Sequence, residues 1–294
     1  MLKIEEKEGL FAFRHEAMAT ELTLSLGGVD QEYAKGISYA FFERVDEIES
    51  KLSLYQETSD VTRINLLKKG EQTRVSEECI DCLQLAMTAS ELTSGRFHPF
   101  LGVDALKVKG KAPAYLRSVF QAPVGDPSSP AIQIDPNTRQ LVKVAEGVIL
   151  DFGGIGKGYA LDVAMEEIED WDVPVAMANF GGSTLLFKSE DEDSPWSATL
   201  DGEGFVPFRN GAFSSSGVGF QGEHIVSSVG ETLLWERSYA RTYSAALADA
   251  LTTGAMLMGQ EELDTLCQAQ PQLVVAASQG GKLWGGERFR KWGG

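Results

Sequence analysis

The sequence has few cysteines, few basic residues and no long apolar run, and each shortage excludes a class of protein. Three cysteines in 294 residues, Cys79, Cys82 and Cys267, are an odd number and do not indicate a disulfide framework. Lys and Arg total 26 against 43 Asp and Glu, a net charge of -17. No general electrostatic attraction therefore holds the chain on nucleic acid or on an anionic membrane. No apolar stretch has the length that spans a bilayer, so we expect no transmembrane segment.

The first residues also lack the pattern of a secretory signal. The segment "MLKIEEKEGLFAF" contains no basic region followed by an apolar run. We therefore expect a cytoplasmic location for the chain as given, and a periplasmic location stays open if a leader was removed. With 43% hydrophobic residues, the chain is long enough to bury a sizeable core. We expect residues 1–294 to form a single domain.

Hydrophobic periodicity predicts a mixture of helices and antiparallel strands. "LFAFRHEAM" and "ELTLSL" predict two strands, and apolar residues every three or four positions predict a helix from Tyr33 to Leu52. "SLYQETSDVTRIN" is polar and turn-rich, "SEECIDCLQLAMTASELTSG" predicts a helix, and Lys107 to Ser129 is typical of a loop. Pro136-Asn137 predicts a hairpin turn, and "ALADALTTGAMLMG" a helix that Gly259 ends. Short alternating segments in the second half predict a mixed, largely antiparallel sheet with flanking helices, so the fold class is α+β.

The segment "LDFGGIGKGYALD" places glycines and one lysine between an apolar run and the start of a predicted helix. Such a turn offers backbone N–H groups and the positive end of a helix dipole to a phosphate. The Walker pattern does not fit, because Gly156-Lys157 is followed by Gly158 and not by Ser or Thr. The dinucleotide fingerprint does not fit either, because Tyr159 stands where a third small residue belongs.

A carboxylate and a hydroxyl share one face of the predicted helix in "SAALADALTTGAMLMG". Asp249 and Thr253 are four residues apart, and two hard oxygens on one face supply half of a Mg²⁺ site. The alternative is that Asp249 caps the helix. "CIDC" also has two interpretations. The first is two half-buried thiols on one helix, and the alternative is a redox or metal-binding pair.

Three other candidates keep two interpretations each. The glycines of "NFGGST" let a ligand approach the backbone, but a bulge or tight turn explains them equally well. His98 in "SGRFHPF" and His224 in "GEHIVSSVG" are candidate ligands or bases, although an isolated histidine is more often packed or solvated.

Taken together, these stretches resemble one family, the ApbE-type FAD:protein FMN transferases, over most of the chain. "DFGGIGKGYALD" is very close to the family's Asp-x-Gly-Gly-Ile-x-Lys-Gly-Tyr-Ala-x-Asp. "MATELTLSL", "SLYQETSDVTRIN", "NFGGS" and "ADALTTGAMLMG" resemble four further family motifs in the family's order. Two departures are Ala19, where the family has Gly, and His98, where it usually has Asp. The resemblance implies the flavin-transferase fold.

The resemblance also implies a set of site residues. A divalent metal, Mg²⁺, would be held by Asp249, Thr253 and the backbone carbonyl of Gly154. The expected FAD contacts are Met18, Tyr55, Arg96, Phe97, His98, Asp151, Lys157 and His224. His224 is the candidate general base, because an unperturbed imidazole titrates near neutrality, and Asp249 is the second expected catalytic residue.

The implied reaction is Mg²⁺-dependent transfer of FMN from FAD, as substrate, to a Ser or Thr hydroxyl of an acceptor protein, with release of AMP. Two alternatives stay open at this point. Water in place of the hydroxyl would make the chain an FAD pyrophosphatase that gives FMN and AMP. A protein that has lost transfer would be a non-catalytic FAD-binding or carrier protein. The expected partners are FAD and the acceptor protein, and no nucleic acid.

Overall fold

The computed structural model describes residues 3–7, 9–109, 112–116, 119, 131–135, 137–190, 196–200, 204–208, 210–217 and 232–291. In these ranges the strands are β1 Lys3–Lys7, β2 Leu10–Ala17, β3 Thr20–Gly27, β4 Gln72–Arg74, β5 Ile132–Asp135, β6 Gln140–Lys143, β7 Val175–Phe180, β8 Thr184–Ser189, β9 Trp196–Leu200, β10 Gly204–Phe208, β11 Gly211–Gly217, β12 Arg237–Thr242, β13 Val274–Gln279 and β14 Lys282–Trp284. The α-helices are α1 Gln31–Leu52, α2 Asp60–Leu66, α3 Glu77–Leu92, α4 Gly102–Lys109, α5 Gly156–Glu167, α6 Ala245–Ala255, α7 Gln260–Ala269 and α8 Gly286–Lys291. Two short 3₁₀ turns lie at Ala114–Leu116 and Glu169–Trp171.

A nine-stranded sheet is the largest element of the fold. Its strand order is β1-β2-β3-β7-β8-β11-β12-β13-β14, and every neighbouring pair is antiparallel. A three-stranded sheet, β4-β6-β5, and a two-stranded ribbon, β9-β10, are separate from it and also antiparallel. The predicted α+β class with a largely antiparallel sheet is confirmed.

At β8, β11, β12 and β13 the large sheet has a core on each face, and adjacent residues of these strands point into two different cores. On β11 and β12, Ala212 and Ala240 join the main core, whereas Phe213 and Tyr239 join a second, aromatic core with residues of β10 and α8. This alternation follows from the two-residue period of a strand. Helix α5 packs against both α1 and α6, and all three helices bury residues in the main core.

The predicted first helix is confirmed because its apolar stripe is buried. Ile37, Phe41, Val45 and Ile48 of α1 are all fully buried in the main core. A 100°-wide apolar stripe of this kind drives an amphipathic helix onto a sheet. None of the helices in the described ranges is both long and apolar enough to cross a membrane.

Three predictions about local structure are wrong. Gly259 does not end a helix in the left-handed conformation: α6 ends at Ala255, and Gly259 has φ -73° and is the N-cap of α7. Its N–H donates to the Glu262 carboxylate over 2.7 Å, which fixes it as the start of the next helix.

The other two errors concern segments predicted to be irregular. Helix α2 forms within "SLYQETSDVTRIN" because the Ser59 hydroxyl caps it by accepting the N–H of Thr62. Helix α4 extends to Lys109 and so includes the first residues of the predicted loop from Lys107 to Ser129. Most of the rest of that predicted loop, and Pro136 of the predicted hairpin turn, lie outside the described residues.

Candidate functional site

The glycine-rich segment forms a tight turn that leads directly into α5. The Asp151 carboxylate accepts the N–H of Gly153 over 2.9 Å, and the N–H of Gly156 reaches the carbonyl of Phe152 over 2.7 Å. Helix α5 begins at Gly156, so Lys157 lies on its first turn. The positive end of the α5 dipole therefore lies beside a lysine and an aspartate, an arrangement suited to a phosphate ligand.

Asn65 holds the chain just before this turn, a role that the sequence analysis missed. Its side chain donates to the carbonyl of Leu150 over 2.9 Å and accepts the N–H of Leu150 over 2.8 Å. The N–H of Asp151 donates to the carbonyl of Pro99 over 2.8 Å, and the buried Lys143 donates to the carbonyl of Asn65 over 2.9 Å. Asp151 is thereby fixed through its backbone. The sequence feature that could have revealed the role of Asn65 is its place at the end of the motif "SDVTRIN".

Helices α5 and α6 cross in backbone contact at a glycine. A Cβ on Gly158 would lie 2.0 Å from the carbonyl oxygen of Ala245, a separation that no side chain permits. This close approach brings the Lys157 ammonium to 3.4 Å from the Asp249 carboxylate, and only 14% and 6% of these two side chains are exposed. The motifs "DFGGIGKGYALD" and "ADALTTGAMLMG" therefore meet at one point.

The Asp249 carboxylate is buried but weakly bound by its neighbours. It accepts the N–H of Gly158 and the hydroxyl of Thr184, each over 3.3 Å. Together with the Lys157 contact, these are its polar partners among the described residues, and all exceed the 2.7–2.9 Å that is usual for hydrogen bonds to a charged group. A carboxylate in this situation has lone pairs available for a closer cation.

Thr253 and Gly154 lie next to each other beside Asp249. The Thr253 hydroxyl is 3.3 Å from the position that a Cβ on Gly154 would take, and the Phe97 ring is 3.1 Å from the same point. Thr253 also contacts the backbone carbonyl of Asp249 over 3.4 Å. Only a glycine leaves this space open. Within the described residues, no three His, Cys, Asp or Glu side chains form a metal cluster, so a cation here would need hydroxyl and carbonyl oxygens as well as the one carboxylate.

A cleft of about 640 Å³ opens beside Lys157 and is large enough for a nucleotide-sized ligand. Four of the predicted FAD contacts line it: Met18, Tyr55, Asp151 and Lys157. Tyr55 is half exposed and offers a ring face to a ligand. Glu49, which the sequence analysis did not single out, also lines the cleft.

The turn between β2 and β3 that carries Met18 has an unusual backbone. Met18 and Ala19 have φ angles of 46° and 61°, in the left-handed region that is costly for residues with a Cβ. The Glu49 carboxylate accepts the N–H of Met18 over 2.7 Å and holds the turn in place. The glycine that the family has at the position of Ala19 is explained by this conformation.

Three other predicted FAD contacts, Arg96, Phe97 and His98, are not among the residues that line the cleft. Arg96 pairs with Glu262 at 3.2 Å, and Phe97 is buried against Gly154. The His98 ring nitrogen Nδ1 accepts the N–H of Phe100 over 3.2 Å. His224 lies outside the described residues.

The cysteine pair "CIDC" lies on α3 as two unpaired thiols, which are fully buried and not half-buried as the sequence predicts. Cys79 and Cys82 are 1% and 0% exposed. Burial raises the pKa of both thiols well above the usual range. Neither thiol is therefore suited to a redox or metal role, since the thiolate is the reactive form.

A sequence model of the ApbE family matches residues 18–228, and the chain therefore belongs to the ApbE family. The match includes Met18, Tyr55, Asp151 and Lys157 and ends before α6. Two solved structures have the same fold: the ApbE protein of Thermotoga maritima, with TM-score 0.78, 23% identity and coverage of 96% of this chain and 99% of that one, and the flavin transferase ApbE of Vibrio cholerae, with TM-score 0.76, 19% identity and coverage of 99% and 100%. A Klebsiella pneumoniae protein named FAD:protein FMN transferase is 22% identical over 94% of this chain and 87% of its own length.

Proposed function

We propose that this chain is an FAD:protein FMN transferase, which moves FMN from FAD to a Ser or Thr hydroxyl of an acceptor protein and releases AMP. The observation that carries the proposal is the buried Asp249 carboxylate, which has only long contacts and lies beside Lys157. Lys157 in turn lines a cleft of nucleotide size. Membership of the ApbE family and relatives named FAD:protein FMN transferase support the reaction class.

The oxygen donors beside the cleft fit a hard divalent cation. Asp249, Thr253 and the carbonyl of Gly154 would hold Mg²⁺, leaving further positions for phosphate oxygens. Bound there, Mg²⁺ would neutralise the charge that develops on the pyrophosphate during phosphoryl transfer.

The chain's own groups would orient the substrate. Lys157, on the first turn of α5, would bind a phosphate oxygen together with the dipole of that helix. Tyr55, half exposed at the cleft, would pack on a ring of the dinucleotide. Asp151, held through its backbone by Asn65 and Pro99, would accept hydrogen bonds from the ligand at a fixed position.

In the proposed reaction, the acceptor hydroxyl oxygen attacks the FMN-side phosphorus of FAD. The new P–O bond forms as the bond to the AMP phosphate breaks, and AMP leaves with its electron pair. The hydroxyl proton passes to a general base, for which His224 stays the candidate. We expect His224→Ala to slow transfer by about a hundredfold, because general-base assistance has that magnitude, and to weaken FAD binding much less.

The test is incubation with FAD, Mg²⁺ and a protein acceptor with an accessible Ser or Thr, with Asp249→Asn in parallel. AMP release together with a flavin that stays on the denatured acceptor supports transfer, provided that Asp249→Asn abolishes both. AMP and free FMN without labelled acceptor would show a pyrophosphatase instead. Bound FAD and no AMP would show a carrier.

Two neighbouring threonines allow a matched test of the metal site. Thr253→Val removes the hydroxyl beside Gly154. Thr252→Val removes a hydroxyl that accepts from Ser216 and, like that of Thr253, donates to the carbonyl of Asp249. Calorimetric titration with Mn²⁺ should show a loss of affinity of at least about tenfold for Thr253→Val, since one of the protein oxygen ligands is lost. Equal losses in the two variants would reject Thr253 as a ligand.

A further inference from the structure

Asp162 ends the motif "DFGGIGKGYALD" and has contacts very different from those of Asp249. It lies on α5, and its carboxylate accepts the Ser244 hydroxyl over 2.8 Å and the N–H groups of Ala245 and Ala246 over 2.7 Å and 2.9 Å. All three contacts are short, as expected for hydrogen bonds to a charged group. A side chain of α5 thus binds the free N–H groups at the N-terminus of α6.

These contacts complete the start of α6. Ser244 is the N-cap of α6, and its hydroxyl accepts the N–H of Leu247 while donating to Asp162. A negative charge at this end of a helix is also favoured by the helix dipole. Burial raises the pKa of Asp162 to about 6, against the opposing effect of hydrogen bonds from Ala246, Ala245 and Ser244.

The Asp162 contacts lie close to the point where α5 and α6 touch. Gly158, one helical turn before Asp162, is in backbone contact with Ala245, and Asp249 lies one turn after Ala245 on α6. The two helices are therefore held by a backbone contact at Gly158 and by a carboxylate at Asp162. The separation of Lys157, on α5, from Asp249, on α6, depends on how these two contacts set the helices against each other.

We infer that Asp162 is a positioning residue, which fixes the metal-binding face of α6 against the phosphate-binding start of α5. The inference rests on the proposed metal site at Asp249 and Thr253. Asp162 is not one of the proposed metal ligands and is not among the residues that line the cleft. Its contribution is to hold the start of α6 so that Asp249 faces Lys157 at the observed separation.

The variant Asp162→Asn tests this role, because an amide has the shape of the carboxylate but carries N–H donors. Three donors converge on Asp162, so at least one amide N–H would face a backbone N–H of α6. A shifted α6 should weaken Mn²⁺ binding by about tenfold, the size of effect seen when outer partners of a metal site are removed. It should also lower kcat more than it raises KM for FAD, since the cleft residues are unchanged.

The matched control is Asp30→Asn, which alters the carboxylate that caps α1 by accepting the N–H of Tyr33 over 2.9 Å. A merely structural role for Asp162 predicts that both variants lower Tm and that neither changes Mn²⁺ affinity. If Asp162→Asn does not fold, Ser244→Ala replaces it, because it removes one of the three contacts and leaves the carboxylate.

Three outcomes are decisive. Mn²⁺ affinity that falls about tenfold in the folded Asp162→Asn variant, and stays within twofold of wild type in Asp30→Asn, supports the positioning role. Unchanged Mn²⁺ affinity in folded Asp162→Asn, or in Ser244→Ala if that variant is used, overturns it. A wild-type protein that binds no Mn²⁺ overturns the proposed metal site, and the positioning role with it.

Discussion

Gly158→Ala is the substitution that tests the crossing of α5 and α6 most severely. The added Cβ would lie 2.0 Å from the carbonyl oxygen of Ala245 and 2.6 Å from the N–H nitrogen of Ala246. Both neighbours are backbone atoms of α6 and cannot rotate away as a side chain can. The helices must therefore separate by more than an ångström, which also stretches the 3.3 Å contact from Gly158 to Asp249.

The expected loss of stability follows from two opposing terms. Overpacking of a tight core costs about 3 kcal/mol at the upper end of its usual range, and alanine recovers about 1 kcal/mol of helix propensity. The net loss is about 2 kcal/mol. With an unfolding entropy of about 2.1 cal/mol/K per residue over 294 residues, Tm should fall by about 3 °C, and Mn²⁺ affinity should fall with it.

Gly36→Ala is the control for the assay. Gly36 lies inside α1, and a Cβ there would have only an ordinary contact, 3.7 Å from the Trp171 ring. Helix propensity should then raise the stability by about 1 kcal/mol. Thermal unfolding followed by circular dichroism measures both variants. A Gly158→Ala protein as stable as Gly36→Ala would refute the close crossing of the two helices.

Three further predictions concern single positions. Ala19→Gly should stabilise the protein by about 0.5–1 kcal/mol in urea denaturation, because glycine adopts the left-handed φ of 61° without strain; a destabilised variant would contradict that backbone. Burial works against ionisation of Glu78, yet hydrogen bonds such as that from Lys51 lower its pKa to about 2. The stability that this carboxylate adds is present above pH 4.5 and lost towards pH 2, so the Tm difference between wild type and Glu78→Gln should narrow over that range, and a constant difference would reject the ion pair. Cys79 and Cys82 should not react with a thiol reagent until the protein unfolds. Rapid labelling of either thiol in the native protein would contradict the burial of this face of α3.

The elements with strong periodicity could be predicted from the sequence, whereas those set by a single cap could not. The 22 residues of α1 carry an apolar stripe that only an amphipathic helix explains. The seven residues of α2 are too few for a reliable period, and the Ser59 cap decides that they are helical. Gly259 shows the same limit, because a glycine can begin a helix as well as end one.

The candidate site shows a similar division. The motifs indicated that Asp151, Lys157 and Asp249 belong to one site, and the fold brings Lys157 and Asp249 to 3.4 Å. The sequence could not distinguish the roles of Asp162 and Asp249, since both are aspartates within motifs. Their difference lies in contact lengths that arise only when α5 and α6 meet. The role of His224 and the single-domain organisation stay predictions.

The central claim is that FAD and a divalent cation bind where α5 and α6 cross, and a crystal soaked with FAD and Mn²⁺ tests it most directly. The anomalous signal of manganese locates the cation independently of any assumption about the ligand. The proposed site predicts one strong peak within coordination distance of the Asp249 carboxylate and the Thr253 hydroxyl, with flavin density in the cleft beside Tyr55 and Lys157. A manganese peak away from Asp249, or FAD bound outside that cleft, would contradict it.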